Sequence, residues 1–266
     1  MTILDEILEQ KQREIAQLKA YGGGFPSTSE QTIPSIRQTF AESKNMNIIA
    51  EIKRASPSKG AIQMEVDPVK QAKRYAQLGA GAISILTDET FFKGSMDDLR
   101  AVRAAVDIPL LCKDFIIDPI QIEQAKAAGA NIILLIVAAL DKDQLRSLYN
   151  YAKSLQLDIL CEVHNEKEMQ IAVELDADII GINNRNLKTF EVDLHVTKKL
   201  APMVENSAAL LIGESGVKSR TDVERLEAAG VKGILVGETL MCSNNLTETF
   251  QDLRISLTKG RLPNAR

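Results

Sequence analysis

Leu78-Gly-Ala-Gly-Ala-Ile-Ser-Ile-Leu86 has the layout of a helix-to-strand junction, because its glycine separates the end of a helix from the start of an apolar strand. The same layout returns in Ala128-Gly-Ala-Asn-Ile-Ile-Leu-Leu135 and in Ala229-Gly-Val-Lys-Gly-Ile-Leu-Val236. It returns once more, with aspartate in the place of the glycine, in Leu175-Asp-Ala-Asp-Ile-Ile-Gly-Ile182. The markers at positions 79, 129, 176 and 230 lie 50, 47 and 54 residues apart, which is the length of two helix and strand units.

Around these markers, short β-branched runs alternate with charged amphipathic stretches, as in βα units around a parallel sheet. Several runs are apolar at successive positions, which is typical of strands that are covered on both faces. Eight such units without an antiparallel signal favour a closed (β/α)8 barrel of the α/β class over an open doubly wound sheet. The eight predicted strands are Asn47–Lys53, Ala82–Thr87, Ile108–Lys113, Asn131–Val137, Asp158–His164, Asp178–Asn183, Ala208–Glu214 and Gly233–Val236.

The composition excludes several classes of protein. Of the 266 residues, 45% are hydrophobic and 26% charged, as in folded globular proteins. A net charge of −4 without a basic stripe argues against a nucleic-acid partner. The longest apolar run, from Ile132 to Leu140, is far shorter than the roughly 18 residues of a membrane helix. The N-terminus lacks the apolar stretch of a signal peptide, so we expect a cytoplasmic protein with no membrane partner.

The chain has three cysteines and two histidines, and neither set has the spacing of a metal site. We predict that Cys112, Cys161 and Cys242 are all packing thiols and that no metal is bound.

Residues 1–46 are predicted to form an N-terminal helical extension of a single domain that spans 1–266. Ile3 to Leu18 has apolar residues at helical spacing, and three glycines at 22–24 end it. A second short helix fits Pro34 to Ser43. The apolar face of the first helix can pack on its own barrel or on another subunit, so we expect a monomer or a weak homodimer.

Charged and polar side chains cluster where five of the predicted strands end, which in a barrel is the active-site face. If Ile48, Ala50 and Ile52 face the helices, the period of two points Glu51 and Lys53 into the barrel mouth. The other strand ends carry Lys113-Asp114, Glu162 and His164, Asn183-Asn184-Arg185, and Glu214-Ser215. An ion-pair lattice of Lys53, Lys113 and Arg185 with Glu51, Glu162 and Glu214 is the structural alternative to a catalytic site.

Glycines in the last two units predict a phosphate site, because loop N–H groups at this part of a barrel bind anions. Gly213-Glu-Ser-Gly-Val217 closes the seventh strand, and Gly237 opens a helical turn after the eighth. The polar loop from Arg54 to Gly60 could act as a lid with Ser56 near phosphate or substrate. Three phenylalanines near the mouth could hold an aromatic ring, namely Phe91, Phe92 and Phe115.

With these residues assembled, the whole chain resembles the indole-3-glycerol-phosphate synthase family. The resemblance rests on four segments, namely Ile49-Ala-Glu-Ile-Lys-Arg-Ala-Ser-Pro-Ser-Lys-Gly60, Lys113-Asp-Phe-Ile-Ile-Asp-Pro119, Gly181-Ile-Asn-Asn-Arg-Asn-Leu-Lys-Thr-Phe190 and Gly213-Glu-Ser-Gly-Val217. It implies a (β/α)8 barrel with an N-terminal helical extension and no metal or organic cofactor. The implied substrate is 1-(2-carboxyphenylamino)-1-deoxyribulose 5-phosphate, which is converted to indole-3-glycerol phosphate with loss of CO2 and water.

The resemblance also implies roles for single residues. Lys113 would be the general acid at the ribulose carbonyl, and Glu162 its acid/base partner in the later proton steps. Lys53 would lie near the substrate carboxylate and assist dehydration, and Glu51 would position it. Further positions that line the substrate match Asn183, Arg185, Glu214 and Ser215. The phosphate would be held at Ser56, Gly216, Gly237 and Glu238, and the aromatic ring at Phe92, Phe115 and Leu187.

Two lysines in one site should lower each other's pKa by repulsion and so ease proton donation near pH 7.

Other interpretations of the same residues stay open on sequence alone. One is a neighbouring phosphate-binding barrel enzyme, such as a sugar-phosphate isomerase or an aldolase that forms a Schiff base on Lys113 or Lys53. Another is a barrel that binds a phosphorylated metabolite without catalysis.

Overall fold

Eight parallel strands close into a barrel, and a helical segment follows each of them along the chain. The computed structural model describes residues 2–25, 27, 32–204 and 207–258. The first strand closes the ring, because Ile49 lies opposite Leu235 of the last strand on one side and Ala82 of the next strand on the other. The predicted (β/α)8 barrel is therefore confirmed, and the open sheet is excluded.

Each predicted strand contains one observed barrel strand. A two-stranded antiparallel hairpin in the loop after β1 adds β2 and β3, which we did not predict. The strands are β1 (Asn47–Ile52), β2 (Ala55–Ser56), β3 (Gly60–Ala61), β4 (Ala82–Leu86), β5 (Leu110–Lys113), β6 (Ile132–Ile136), β7 (Asp158–Val163), β8 (Ile179–Asn183), β9 (Leu210–Glu214) and β10 (Gly233–Val236).

The helices surround the barrel, and most begin with a side-chain cap. Asp118, for example, accepts a hydrogen bond from the N–H of Ile120 and opens its helix with a capping box. The helices are α1 (Ile3–Tyr21), α2 (Ile36–Glu42), α3 (Pro68–Gln77), α4 (Met96–Arg103), α5 (Pro119–Ala127), α6 (Lys142–Ser154), α7 (Glu166–Glu174), α8 (His195–Leu200), α9 (Arg220–Ala228), α10 (Glu238–Met241) and α11 (Leu246–Leu253), with 3-10 turns at Val137–Ala139 and Ala201–Val204. None of the helices in the described ranges is long and apolar enough to span a membrane.

The repeated glycine has the conformation that the sequence pattern predicts. Gly79, Gly129 and Gly230 are left-handed, with φ of +88°, +94° and +91°. Asp176, the aspartate at the fourth marker, has φ of +57°. Aspartate tolerates this conformation better than most side chains, so the same helix-to-strand turn forms there.

Alternation along β1 separates the two parts of the core. Ile48, Ala50 and Ile52 pack against the surrounding helices, whereas Ile49 belongs to the cluster inside the barrel. The prediction that Glu51 points inward is therefore confirmed.

The second short helix, α2, closes the amino-terminal end of the barrel. Phe40 of α2 is fully buried and belongs to the interior cluster. A Cβ atom at Gly81 would lie 2.7 Å from the Phe40 ring, and one at Gly233 would lie 3.0 Å from it. Both glycines therefore make room for the Phe40 ring.

The first helix, α1, packs on its own barrel and ends at Tyr21, directly before the three glycines that were predicted to end it. Its buried face includes Ile7 and Ile15. Between them, Lys11 is also buried, and its Nζ lies 2.7 Å from Asp114 and 3.0 Å from Asp88. These ion pairs attach the extension to the ends of β4 and β5. Residues 1, 26 and 28–31 of the predicted extension lie outside the described residues.

The prediction for the cysteines is correct for two of the three. Cys112 and Cys161 are fully buried on strands, and burial raises the pKa of each thiol to about 12. Cys242 is exposed, and the prediction of a packing thiol there was wrong. It follows the short helix α10, where the chain turns outward before α11.

Candidate active site

A cavity of about 560 Å³ opens at the carboxyl ends of the strands. Every residue to which the family resemblance gives a role in catalysis, substrate binding or phosphate binding lines it. One wall carries charged strand ends, a second carries aromatic and aliphatic side chains, and a third is formed by the loops after β9 and β10. A cavity of this size that combines charged groups with an apolar wall suits a small molecule that has both an aromatic and an anionic part.

Lys113 lies at the centre of the charged wall, at the last residue of β5. Its Nζ is 3.1 Å from Oε2 of Glu162 on β7 and 2.6 Å from Oε2 of Glu214 on β9. All three side chains are almost entirely buried. One ammonium group therefore bridges two carboxylates from strands across the barrel.

Two glycines make room for the carboxylates of this wall. A Cβ atom at Gly181 would overlap Oε1 of Glu214, and a Cβ atom at Gly237 would overlap Oε1 of Glu51. Glu51 pairs with Lys53, whose Nζ lies 2.6 Å from Oε1. Each lysine thus has its own carboxylate partners.

The pKa values of Lys113 and Glu214 are raised, whereas that of Glu162 is lowered. Burial alone would lower the pKa of Lys113, but Glu214, Glu162 and Glu51 outweigh burial and raise it. Burial also acts to raise the pKa of Glu162, but Lys113 and His164 hold that pKa far below its ordinary range. Burial raises the pKa of Glu214, and repulsion from Glu162 offsets part of the attraction by Lys113. Lys113 is therefore a cation and Glu162 a carboxylate at neutral pH.

The expected pKa lowering by a pair of lysines is wrong for Lys113. The nearest charges to its Nζ are carboxylates, so its ammonium form is stabilised. The expected ion-pair lattice is also incomplete, because no carboxylate of the described residues pairs with Arg185. The Arg185 guanidinium donates a hydrogen bond to the carbonyl of Phe190 at 3.1 Å and lines the cavity. It is available to an anionic substrate group.

Among the polar residues at the predicted strand ends, Asn184 and His164 do not line the cavity, whereas Asp114 lines it but is paired with a lysine of α1. Asn184 is buried, and its amide donates a hydrogen bond to the carbonyl of Glu214 at 2.9 Å, because strand alternation turns it away from its neighbour Asn183. Asp114 accepts the ion pair from Lys11. His164 lies behind Glu162 and does not line the cavity.

The apolar wall includes a pair of aromatic rings. The ring centroids of Phe92 and Phe115 are 5.9 Å apart, and Leu187 lies on the same cavity. Phe91, the third phenylalanine suggested by the sequence, does not line it. The first turns of α1 add Ile3, Leu4 and Ile7, which we did not predict as site residues. Their apolar spacing was visible, but the sequence does not say which surface of the barrel a helix will cover.

The loops after β9 and β10 form the third wall. Ser215 and Gly216 are both left-handed, with φ of +62° and +82°. Such a conformation costs about 1 kcal/mol or more for a non-glycine residue and is concentrated at functional sites. Lys59 and Lys218 also line this part of the cavity, although the sequence analysis did not single them out. Lys59 forms an ion pair with Glu238 at 3.1 Å, which neutralises the carboxylate there.

Among the residues that the structure describes, no three His, Cys, Asp or Glu side chains are arranged to hold a metal ion.

Comparisons with known proteins agree with one another. A family model described as indole-3-glycerol phosphate synthase matches residues 4–253. The indole-3-glycerol phosphate synthase of Oceanobacillus iheyensis is 52% identical over 261 residues, which cover 97% of this chain and 99% of that protein. That of Bacillus mycoides is 50% identical over 256 residues, which cover 96% and 99%.

A solved structure of thiamine phosphate pyrophosphorylase from Pyrococcus furiosus aligns with a TM-score of 0.58. It covers 78% of this chain and 93% of its own at 15% identity, so this likeness concerns the barrel fold alone. The matches in sequence extend over nearly the whole chain and include the charged wall, the aromatic wall and the glycine loops. The chain belongs to the indole-3-glycerol phosphate synthase family.

Proposed function

We propose that this chain converts 1-(2-carboxyphenylamino)-1-deoxyribulose 5-phosphate into indole-3-glycerol phosphate, CO2 and water, with Lys113 as the general acid. It is a carboxy-lyase of tryptophan biosynthesis. The observation that carries the assignment of roles is the position of Lys113, which lies between two buried carboxylates and faces the same cavity as an aromatic wall.

Ring closure begins when the ring carbon that bears the carboxylate attacks the ribulose carbonyl. A C–C bond forms, the C=O π electrons move to oxygen, and Lys113 gives that oxygen its proton. The raised pKa of Lys113 keeps the proton present at neutral pH. An alkoxide is far more basic than an amine, so the transfer is downhill, and general acid catalysis of this kind contributes roughly 10²–10⁴-fold.

Loss of CO2 then returns the electron pair of the C–C bond to the ring and restores its aromaticity. In the final step the new hydroxyl leaves as water, and a proton leaves the adjacent carbon of the five-membered ring. Glu162 is ionised at neutral pH and is therefore available as the base for this proton. Lys53, held by Glu51, gives a proton to the departing hydroxyl. Asn183 donates a hydrogen bond to Oε1 of Glu162 at 3.1 Å and orients it.

The substrate's two anionic ends are assigned to two different sets of cavity residues. The phosphate lies against Ser56, Gly216 and the start of α10 at Gly237 and Glu238. Arg185 and Lys53 face the substrate carboxylate, while Phe92, Phe115 and Leu187 pack against the aromatic ring. Glu214 and Ser215 complete the set that lines the reacting atoms.

The test is incubation of the purified protein with the carboxyphenylamino substrate while the indole chromophore is followed. Lys113→Ala and Glu162→Gln are assayed in parallel, with circular dichroism to confirm that both fold. Indole formation that collapses in both variants supports the assignment. Borohydride trapping separates an aldolase, which would leave a stable adduct on Lys113 or Lys53. Binding without turnover by the wild type would instead indicate a metabolite-binding barrel.

A cytoplasmic location and a monomer or weak homodimer stay predictions of this proposal. Size-exclusion chromatography with light scattering tests the second.

A further inference from the structure

His164 is a buried histidine that lies directly behind the charged wall of the cavity. It follows the last residue of β7, and its side chain is 9% exposed. Nδ1 lies 2.9 Å from Oε2 of Glu168, and Nε2 lies 3.2 Å from Oε1 of Glu162. The imidazole therefore stands between two carboxylates, one on the start of α7 and one in the site.

The contacts at the start of α7 explain the position of Glu168 but not the contact between His164 and Glu162. Glu168 accepts a hydrogen bond from the backbone N–H of His164 at 2.7 Å and another from the Asn165 amide. These contacts stabilise the first turn of α7 with or without an imidazole ring. They do not explain why the opposite ring nitrogen is buried against Glu162. Among the described residues, Nε2 has no aligned hydrogen-bond acceptor, so its contact with Glu162 is one of charge.

Glu162 has a defined partner at each oxygen. Lys113 lies at Oε2, while Asn183 and His164 meet at Oε1. Lys113 is shared with a second carboxylate, that of Glu214, so it cannot neutralise Glu162 alone. A second cation at Oε1 supplies the charge that the shared lysine lacks.

We infer that His164, held as an imidazolium by Glu168, is a positioning residue that keeps Glu162 ionised and oriented as the base. This inference rests on the proposed function, since it assigns Glu162 the later proton steps. His164 itself does not touch the cavity.

The charges around the ring agree with this role. Burial alone would lower the pKa of His164, but Glu162 and Glu168 outweigh burial and raise it to about 10. The other charged groups near Glu162 are Lys113 on β5 and Glu214 on β9, and Glu51 on β1 acts on Lys113. Glu51 is paired with Lys53, so loss of the imidazolium leaves the Glu162 and Glu214 carboxylates to share the one ammonium group of Lys113.

The experiment compares wild type, His164→Gln, Glu168→Gln and His195→Gln. His195 is the matched control, because it also pairs with a nearby carboxylate, Asp193 at 2.9 Å, but its side chain is 83% exposed. The chain has only these two histidines, so proton NMR assigns both ring signals by their loss in the variants. Steady-state kinetics across pH and thermal unfolding are measured on all four proteins.

We expect the His164 signal to remain that of an imidazolium at pH 8 in the wild type. In His164→Gln, kcat should fall about tenfold with KM nearly unchanged, and the acidic limb of kcat/KM should move to higher pH by about one unit, since a neighbouring cation lowers a carboxylate pKa by roughly 1–3 units. Glu168→Gln keeps the ring but removes its anchor, so it should shift kcat in the same direction. His195→Gln should match the wild type.

A His164 signal that titrates near the ordinary value of about 6.5 would overturn the inference. So would a His164→Gln enzyme with lowered stability but an unchanged kcat and acidic limb. If His164→Gln does not fold, the wild-type NMR titration and the kinetics of Glu168→Gln decide the question. A wild type that forms no indole product overturns the proposed function and this inference together, whereas an active wild type with a wild-type-like His164→Gln overturns the inference alone.

Discussion

Gly181 leaves the space on β8 through which the carboxylate of Glu214 reaches Lys113. A Cβ atom at position 181 would overlap Oε1 of Glu214, while Oε2 of the same carboxylate lies 2.6 Å from Nζ of Lys113. Gly237 has the same relationship to Glu51. The charged wall therefore depends on the absence of two side chains as well as on the charged residues themselves.

Gly181→Ala should displace Glu214 and lower kcat/KM by tenfold or more, with a loss of stability of about 1–3 kcal/mol from overpacking. Gly213→Ala is the control, because its Cβ would lie 2.9 Å from Leu226, a flexible side chain on the helix side of the barrel. Kinetics and urea unfolding of both variants check this. Equal kcat/KM in the two would contradict the role of Gly181.

Lys59 should contribute to substrate binding, because it neutralises Glu238 beside the proposed phosphate position. Lys59→Ala leaves that carboxylate to repel the phosphate, so KM should rise about threefold to tenfold, corresponding to roughly 1 kcal/mol. Adding Glu238→Gln to Lys59→Ala should bring KM most of the way back to the wild-type value. Substrate titration of the two single variants and the double variant measures this coupling, and additive effects would rule it out.

Lys11→Met should destabilise the barrel by about 3 kcal/mol, because it leaves the buried carboxylates of Asp88 and Asp114 without their cation. Lys19→Met on the same helix removes an exposed ion pair with Asp118, and should cost less than about 1 kcal/mol. Chemical denaturation compares the two. Equal losses would mean that α1 is held by its apolar face alone.

The contribution of His164 to stability should depend on pH. Its pKa is raised from 6.5 to about 10, so the folded state binds the proton more tightly than the unfolded state does. This contribution is therefore fully present below about pH 6.5 and is lost as pH rises toward 10. The unfolding free energies of wild type and His164→Gln should differ more at about pH 6 than at about pH 9.5. A difference that does not change with pH would contradict the charge assigned to the ring.

The barrel and the residues of its mouth could be predicted because both follow from local patterns. A left-handed residue before every second strand, glycine at three markers and aspartate at the fourth, marks the turns, and the period of two along β1 turns Glu51 inward. Strand ends meet at one rim in any parallel barrel, so polar residues there come together whatever their distance in sequence.

The partners of each charge could not be predicted in the same way. Whether carboxylates or another lysine dominate the charge around Lys113 depends on side-chain directions across the barrel, and the expected lowering of its pKa was wrong for that reason. Lys11 acts through contacts with Asp88 and Asp114, which no local pattern links to it. Cys242 was assigned to the core from its residue type alone, although it follows a four-residue helix at the surface.

In the proposed mechanism, Lys113 supplies the proton for ring closure and does not only stabilise the carboxylates around it. The most direct measurement is substrate affinity by calorimetry together with turnover, for the wild type and for a folded Lys113→Met. We predict affinity within about fivefold of the wild type and turnover reduced by roughly 10²–10⁴-fold. Turnover in the folded variant close to that of the wild type would contradict the role of Lys113 as the general acid.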